Sequence, residues 1–255
     1  MLVAKIAIGA AADMLHKEGA GLTALSESGY LLLPTTHPVM SVGDSHILLM
    51  QYLEQTQESE PVAEDDFGVA LAHHHTSSVG KRYGWDHNNY IGSTVQVNEW
   101  SDDWIEFNRE CRLGCQLELA RSAGLLRGEE ASMVGQVISR LDSYIPRTPP
   151  MSLLHGDLWS GNALPVYDGK RVRIALIDPA VYFGDPIADV AMMKLFGGFQ
   201  ESCYAAYFSH AGETDRIETR VLVYQLYHML NHLNLFGGGY LGSVMGITRR
   251  LLRAQ

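Results

Sequence analysis

Cysteine is scarce in this chain: Cys111, Cys115 and Cys203 stand alone among 255 residues, too few for a disulfide framework, and they read as reduced thiols. Cys111 and Cys115 lie one helical turn apart, but no further Cys or paired His follows at ligand spacing, which argues against a metal pair. Long apolar runs are missing too, none approaching the ~18 residues of a membrane span. The opening Met1-Leu2-Val3-Ala4-Lys5 has no apolar region leading to a small-residue cleavage site, so a cytoplasmic protein is expected. Positive charge is in deficit, with 19 Lys and Arg against 29 Asp and Glu and a formal net charge of −10. That balance argues against a binder of nucleic-acid backbone, which needs a basic stripe to displace counterions. A polyphosphate substrate survives it, because a metal ion and one or two local cations offset the global field. Repeats and low-complexity tracts are absent.

The 46% hydrophobic content suffices for a substantial core in one or two domains. Residues 2–8 read as a strand, 13–28 as a helix with Ser28-Gly29 as its stop, and 30–33 and 47–52 as two further strands. The polar, acidic stretch 54–66 reads as a connector, which places a boundary between a first unit, 1–53, and a second, 54–255. Beyond it the pattern is mainly helical, over 67–77, 102–123, 129–141, 186–196 and 218–235, then a Gly237-Gly238-Gly239 turn and a short last helix. Ser101-Asp102-Asp103 supplies cap and first-turn carboxylates for the second of these. His73-His74-His75 point in different directions on a helix, and no Glu stands between His228 and His232 as in His-Glu-x-x-His, so neither group is expected to bind metal.

The chemistry concentrates in LLHGDLWSGN, residues 153–162, where an apolar strand delivers His155, Gly156 and Asp157 to a tight loop and Asn162 follows five residues after Asp157. Phosphoryl transfer needs a carboxylate to orient the acceptor hydroxyl and take its proton, and an oxygen ligand nearby to hold a metal on the phosphates. Asp-x-x-x-x-Asn supplies both in kinase catalytic loops. A second apolar run, 172–177, ends at Asp178, and a hairpin of two short strands would bring that carboxylate to the same end of the sheet as Asp157. Asp178 then occupies the place of the kinase metal-binding Asp, followed here by Pro179-Ala180.

With Trp159-Ser160 at its centre, this loop resembles that of the fructosamine/ketosamine kinases. So do NNYIGSTVQVN (88–98), DDWIEFNRECRLGCQL (102–117), KLFGGF (194–199) and YQLYHMLNHLNLFGGGYL (224–241), so that the similarity covers nearly the whole chain. The resemblance implies an α+β, protein-kinase-like two-lobe fold, with an incomplete small N-lobe of antiparallel strands and one helix over 1–53 and a helical C-lobe over 54–255. It implies ATP and Mg2+ as cofactors and a small-molecule or protein-bound ketosamine as acceptor. Carried over by position, Asp157 is the base, Asn162 and Asp178 are metal ligands, Lys5 pairs with the phosphates and Glu18 is its ion-pair partner. Met50, Gln51, Tyr52 and Leu53 match the hinge that reads the adenine edge. Trp159 and His155 are assigned to the acceptor, Trp159 as a stacking platform in preference to a loop brace. Asp189 matches a carboxylate that supports the loop from below.

Two features depart from the family pattern. Only four residues precede Lys5, where the family has strands and a glycine-rich turn over the phosphates, so the chain reads as a truncated form. Gly184-Asp185-Pro186 is closer to aminoglycoside and choline-type phosphotransferases than to ketosamine kinases. An aminoglycoside-type phosphotransferase and a catalytically weak kinase-like binding protein are therefore the alternatives.

Overall fold

The computed structural model describes residues 1–56, 63–212 and 215–254. Strand β1 (Leu2–Ile8) leads through a 3-10 turn, Gly9–Ala11, into helix α1 (Ala12–Ser26). Strands β2 (Met40–Val42) and β3 (Ser45–Gln51) form a hairpin whose turn uses Gly43 at φ +60°. All three strands are antiparallel, in the order β1-β3-β2, with Lys5 opposite Leu48. Leu15 on α1 packs on Leu48 and Met50, closing a small core beneath the sheet.

The strand expected over 30–33 does not form. Leu32 makes one parallel bridge to Ala175, while Leu31 and Leu33 seat on the cluster around α2 and α8 and on a smaller one where Leu25 of α1 meets Leu153 and Val181. Proline at 34, which lacks an N–H, stops any ladder from continuing. β2 was hidden by the same punctuation, since Pro38 and Gly43 frame it as loop.

Helix α2 (Glu64–Ser77) starts three residues before the expected 67, because Glu64, Asp65 and Asp66 form its first turn, where carboxylates suit the helix dipole. Positions 57–62 of the expected connector lie outside the described residues. An unexpected hairpin, β4 (Asn89–Ile91) and β5 (Thr94–Gln96), turns at Gly92. The single helix expected over 102–123 is α3 (Trp104–Phe107), a π-helical segment Asn108–Leu113 and α4 (Gly114–Ser122). Asp103 caps its start by accepting from the Ile105 and Glu106 N–H groups. Gly114 permits the wide turn, since a Cβ there would stand 2.1 Å from the Arg109 carbonyl oxygen.

Then follow α5 (Gly128–Ser139), α6 (Leu141–Tyr144), β6 (Ser152–Leu154), a 3-10 turn Ser160–Asn162, β7 (Ala163–Tyr167), β8 (Val172–Leu176) and β9 (Tyr182–Gly184). β6 pairs with β9 and β7 with β8, the latter being the expected hairpin. The chain closes with α7 (Ile187–Phe196), an unexpected α8 (Glu201–Ala211), α9 (Ile217–Phe236), a 3-10 turn Gly238–Tyr240 and α10 (Leu241–Arg253). The principal core gathers around α9, with Trp104, Tyr144, Leu226 and Leu230 fully enclosed. A second cluster joins α2, β8, α7 and α8 through Phe67, Leu71, Leu176, Met193 and Tyr207. The result is a mixed α+β first lobe and a mainly helical second one. No helix among the described residues is long and apolar enough to cross a membrane.

Candidate active site

The loop after β6 bends at Gly156, at φ +81°, where an added Cβ would lie 2.0 Å from the Ala180 carbonyl oxygen. Both conformation and space demand glycine. Leu158, fully buried in the α2–α8 cluster, pins the loop on one side. Asp189 on α7 holds it from beneath: Oδ2 accepts from the His155 N–H at 2.8 Å and Oδ1 from the Gly156 N–H at 2.9 Å. His75 on α2 reaches the same carboxylate, Nε2 to Oδ2 at 3.2 Å, while its Nδ1 meets the Tyr207 hydroxyl at 3.0 Å. Burial alone would raise the Asp189 carboxyl, but the contacts with His75 and the Gly156 N–H hold it below the usual range.

Asn162 ties the loop to its carboxylate, its Nδ2 donating to the Asp157 carbonyl at 2.9 Å and to Oδ2 at 3.2 Å. Burial pushes the Asp157 carboxyl up to about 7 against this hydrogen bond, and the nearby Asp178 and Asp189 charges push the same way. A carboxyl so placed takes and releases a proton near neutrality, as a general base requires.

Asp178 leaves β8 at φ +53°, an uncommon conformation for a residue with a side chain. Its carboxylate meets the Lys5 amine, and Glu18 meets the same nitrogen at 2.7 Å. Burial opposes the Lys5 charge, but these two hydrogen bonds hold its pKa above the ordinary value. Burial pushes Glu18 up to about 7 against the pull of Lys5. The contact depends on where α1 sits. At Gly21 the helix comes close enough to β9's approach that a Cβ would stand 3.2 Å from Pro179 and 3.3 Å from Val181, and Leu25 packs against Leu153 and Val181.

Lys5, Glu18, Asp157, Trp159, Asn162 and Asp178 line one cleft of about 390 Å³. Pro179 and Ala180 line it too, as do Met14, Lys17, Asn89, Tyr90 and Gly92, five residues not expected from the sequence. The 88–98 stretch carried family resemblance but no ionisable group at motif spacing. Its hairpin is anchored by side-chain amides, Asn89 donating to the Val181 carbonyl at 2.8 Å and Gln96 to that of Ala180 at 2.9 Å.

The other expected positions fall elsewhere. His155 does not line the cleft: its ring is buried, Nε2–H donating to the Ile177 carbonyl at 3.0 Å and Nδ1 accepting from the Asp157 N–H at 3.3 Å. It braces the loop, and burial depresses its pKa. Met50, Gln51, Tyr52 and Leu53 do not line this cleft. Met50 is buried in the small core, and pairing consumes two of the expected donors, the Gln51 N–H on Thr35 at 2.8 Å and the Tyr52 N–H on Met1 at 3.1 Å. Asp185 sits in the second lobe's core, away from the cleft lining, where Arg220 donates Nε–H to it at 2.9 Å and the Tyr224 hydroxyl donates to its Oδ2. The departure at 184–186 is thus a packing feature.

The donor set fits magnesium. The Asn162 Nδ2 is spent on Asp157, leaving its Oδ1 as a hard oxygen free to serve a cation in the cleft that Asp178 also lines. Among the described residues no three His, Cys, Asp or Glu gather into an all-protein cage. Mg2+ needs none, since it is usually held by one or two carboxylates with substrate phosphates and water.

The model of the family described as Fructosamine kinase matches residues 3–254. The chloroplastic protein-ribulosamine 3-kinase of Arabidopsis thaliana is 38% identical over 94% of this chain and 72% of its own. A crystal structure from Thermobifida fusca, provisionally described as a fructosamine-3-kinase, superposes with a TM-score of 0.87 at 29% identity, covering 99% of this chain and 86% of that one. A thermostable mutant of an aminoglycoside phosphotransferase superposes with a TM-score of 0.61 at 16% identity, over 99% and 86% of the two chains, a likeness of fold alone.

Proposed function

The chain belongs to the fructosamine kinase family, and from that premise we propose that it phosphorylates a sugar hydroxyl of a fructosamine- or ribulosamine-type ketosamine, using ATP and magnesium. In this reading residues 1–53 present Lys5 to the nucleotide and 54–255 carry the acceptor chemistry. The observation that supports it most is the convergence of Asp157, Asn162, Asp178 and Lys5 on a single cleft. The Asp157 carboxylate takes the proton of the acceptor hydroxyl as its oxygen bonds to the terminal phosphorus of ATP. The bond from that phosphorus to the bridging oxygen breaks, and ADP leaves. Lys5, steered by Glu18, offsets charge on the phosphates. Asn162 and Asp178 would hold magnesium, which when bound neutralises charge on the phosphate oxygens. Trp159 offers its ring to the sugar-amine.

The test is magnesium-dependent ATP consumption with and without fructose-lysine. Turnover is expected only with the ketosamine. Asp157→Asn should reduce it by about 10²–10⁴-fold, the usual contribution of a positioned base, while nucleotide affinity stays within a few-fold. Activity that survives the substitution would overturn the assignment of the base.

A further inference from the structure

Trp159 is one end of a continuous strip of rings that leaves the cleft and crosses the surface of the second lobe. Its ring centroid lies 5.9 Å from that of Phe196 at the end of α7, which lies 5.1 Å from that of His232 on α9. From His232 the strip continues to Phe236 at 5.4 Å and Tyr240 at 5.2 Å. Glycines make the arrangement. A Cβ on Gly161 would stand 2.3 Å from the Trp159 ring, and one on Gly198 would stand 2.5 Å from Ser160, so the α7 end can press Phe196 against the catalytic loop. Trp159, Phe196 and Phe236 are 37%, 43% and 65% exposed, so the loop and the ends of α7 and α9 present aromatic surface to water together.

We propose that this strip is the subsite for the body that carries the ketosamine: a peptide segment flanking the modified amine, with apolar or cationic side chains. The inference rests on the sugar-amine kinase reading and extends it to the far side of the acceptor. Continuity identifies the occupant, because Trp159 belongs both to the cleft and to the strip. A sugar held at Asp157 over Trp159 has the remaining rings beside it as a path for its amine substituent. Their faces suit methylene stems and cations. The His232 Nδ1–H donates to the His228 carbonyl at 2.8 Å, which leaves Nε2 as an acceptor for a backbone N–H or an ammonium group. A second copy of the chain fits less well. Three exposed rings offer on the order of 300 Å², short of the roughly 800 Å² per partner of a stable interface.

Kinetics on two acceptors provide the test: free fructose-lysine, and a ten-residue peptide with a central fructose-lysine flanked by leucine and arginine. For Phe236→Ala, and for the double variant with Tyr240→Ala, the ratio of kcat/KM on the peptide to that on the free compound should fall about five- to tenfold, through KM. A ratio unchanged within twofold would overturn the subsite. Calorimetric binding of the same peptide to each variant keeps the question decidable if the wild-type chain turns over neither acceptor. Phe236-dependent binding would then uphold the strip while the kinase reading failed, and Phe236-independent binding, or none, would overturn the strip.

Discussion

Two histidines buried far from any catalytic role, His74 and His228, are forced to stay neutral, His74 to about 4 and His228 to about 3, in each case chiefly by burial. Unfolded, both titrate near about 6.5. Their folded values are depressed, so the unfolded chain takes up protons first as pH falls, and the stability they contribute is complete above about 6.5 and drains away towards 4 and 3. Asp157 and Glu18, raised to about 7, act in the opposite sense over part of that window, so the comparison must be between variants. His228→Gln should have a Tm deficit that shrinks steadily from pH 7 to pH 4, whatever its constant cost. A deficit independent of pH would mean that the imidazole is not held neutral. At this scale the sequence was partly legible. Asp157 and Asn162 announce themselves because their relationship is confined to one loop. His75 did not, since only the packing of α2 under that loop turns an ordinary helical histidine into a partner of Asp189.

Helices and hairpins were legible where their own periodicity and caps decide them, as in β1, α1 and the β7–β8 pair. They were not where a neighbour decides. The β4–β5 hairpin has three-residue strands held by amide side chains on the segment after Asp178, so no alternation marks it. The position of residues 50–53 outside the cleft is decided by neighbours too: the Gln51 and Tyr52 N–H groups are taken by the Thr35 and Met1 carbonyls. Close helix contact is equally invisible in a sequence. α2 crosses α8 at Gly68, where a Cβ would stand 2.2 Å from the Cys203 carbonyl oxygen. Gly68→Ala should therefore force the two helices apart at a cost of about 1–3 kcal/mol. Thermal melts should show a fall of roughly 2–4 °C per kcal/mol for a chain of this size. An unchanged Tm would show that the helices do not approach so closely.

Across the whole molecule, the two lobes meet at the cleft, and the first lobe turns an apolar sheet face outward. Leu2, Ile6 and Ile8 of β1 and Met40 and Val42 of β2 are exposed, and among the described residues β1 pairs on one edge only, with β3. An open apolar edge invites association. Ile6→Lys with Ile8→Lys should raise the concentration at which light scattering stays monodisperse, and no change would mean that this face does not drive association. The amino-acid sequence by itself determined the reaction class, because Asp157, the Asp-x-x-x-x-Asn spacing and the strand to Asp178 occupy one short stretch that can be read without knowing what packs beneath it. Tertiary structure alone decided that Lys5 meets Asp178, 173 residues away. It decided too that His155 turns inward, and that rings from 159, 196, 232, 236 and 240 line up. Those relations arise from burying side chains across separate elements, where contact depends on how the entire chain excludes water and no local pattern carries the information.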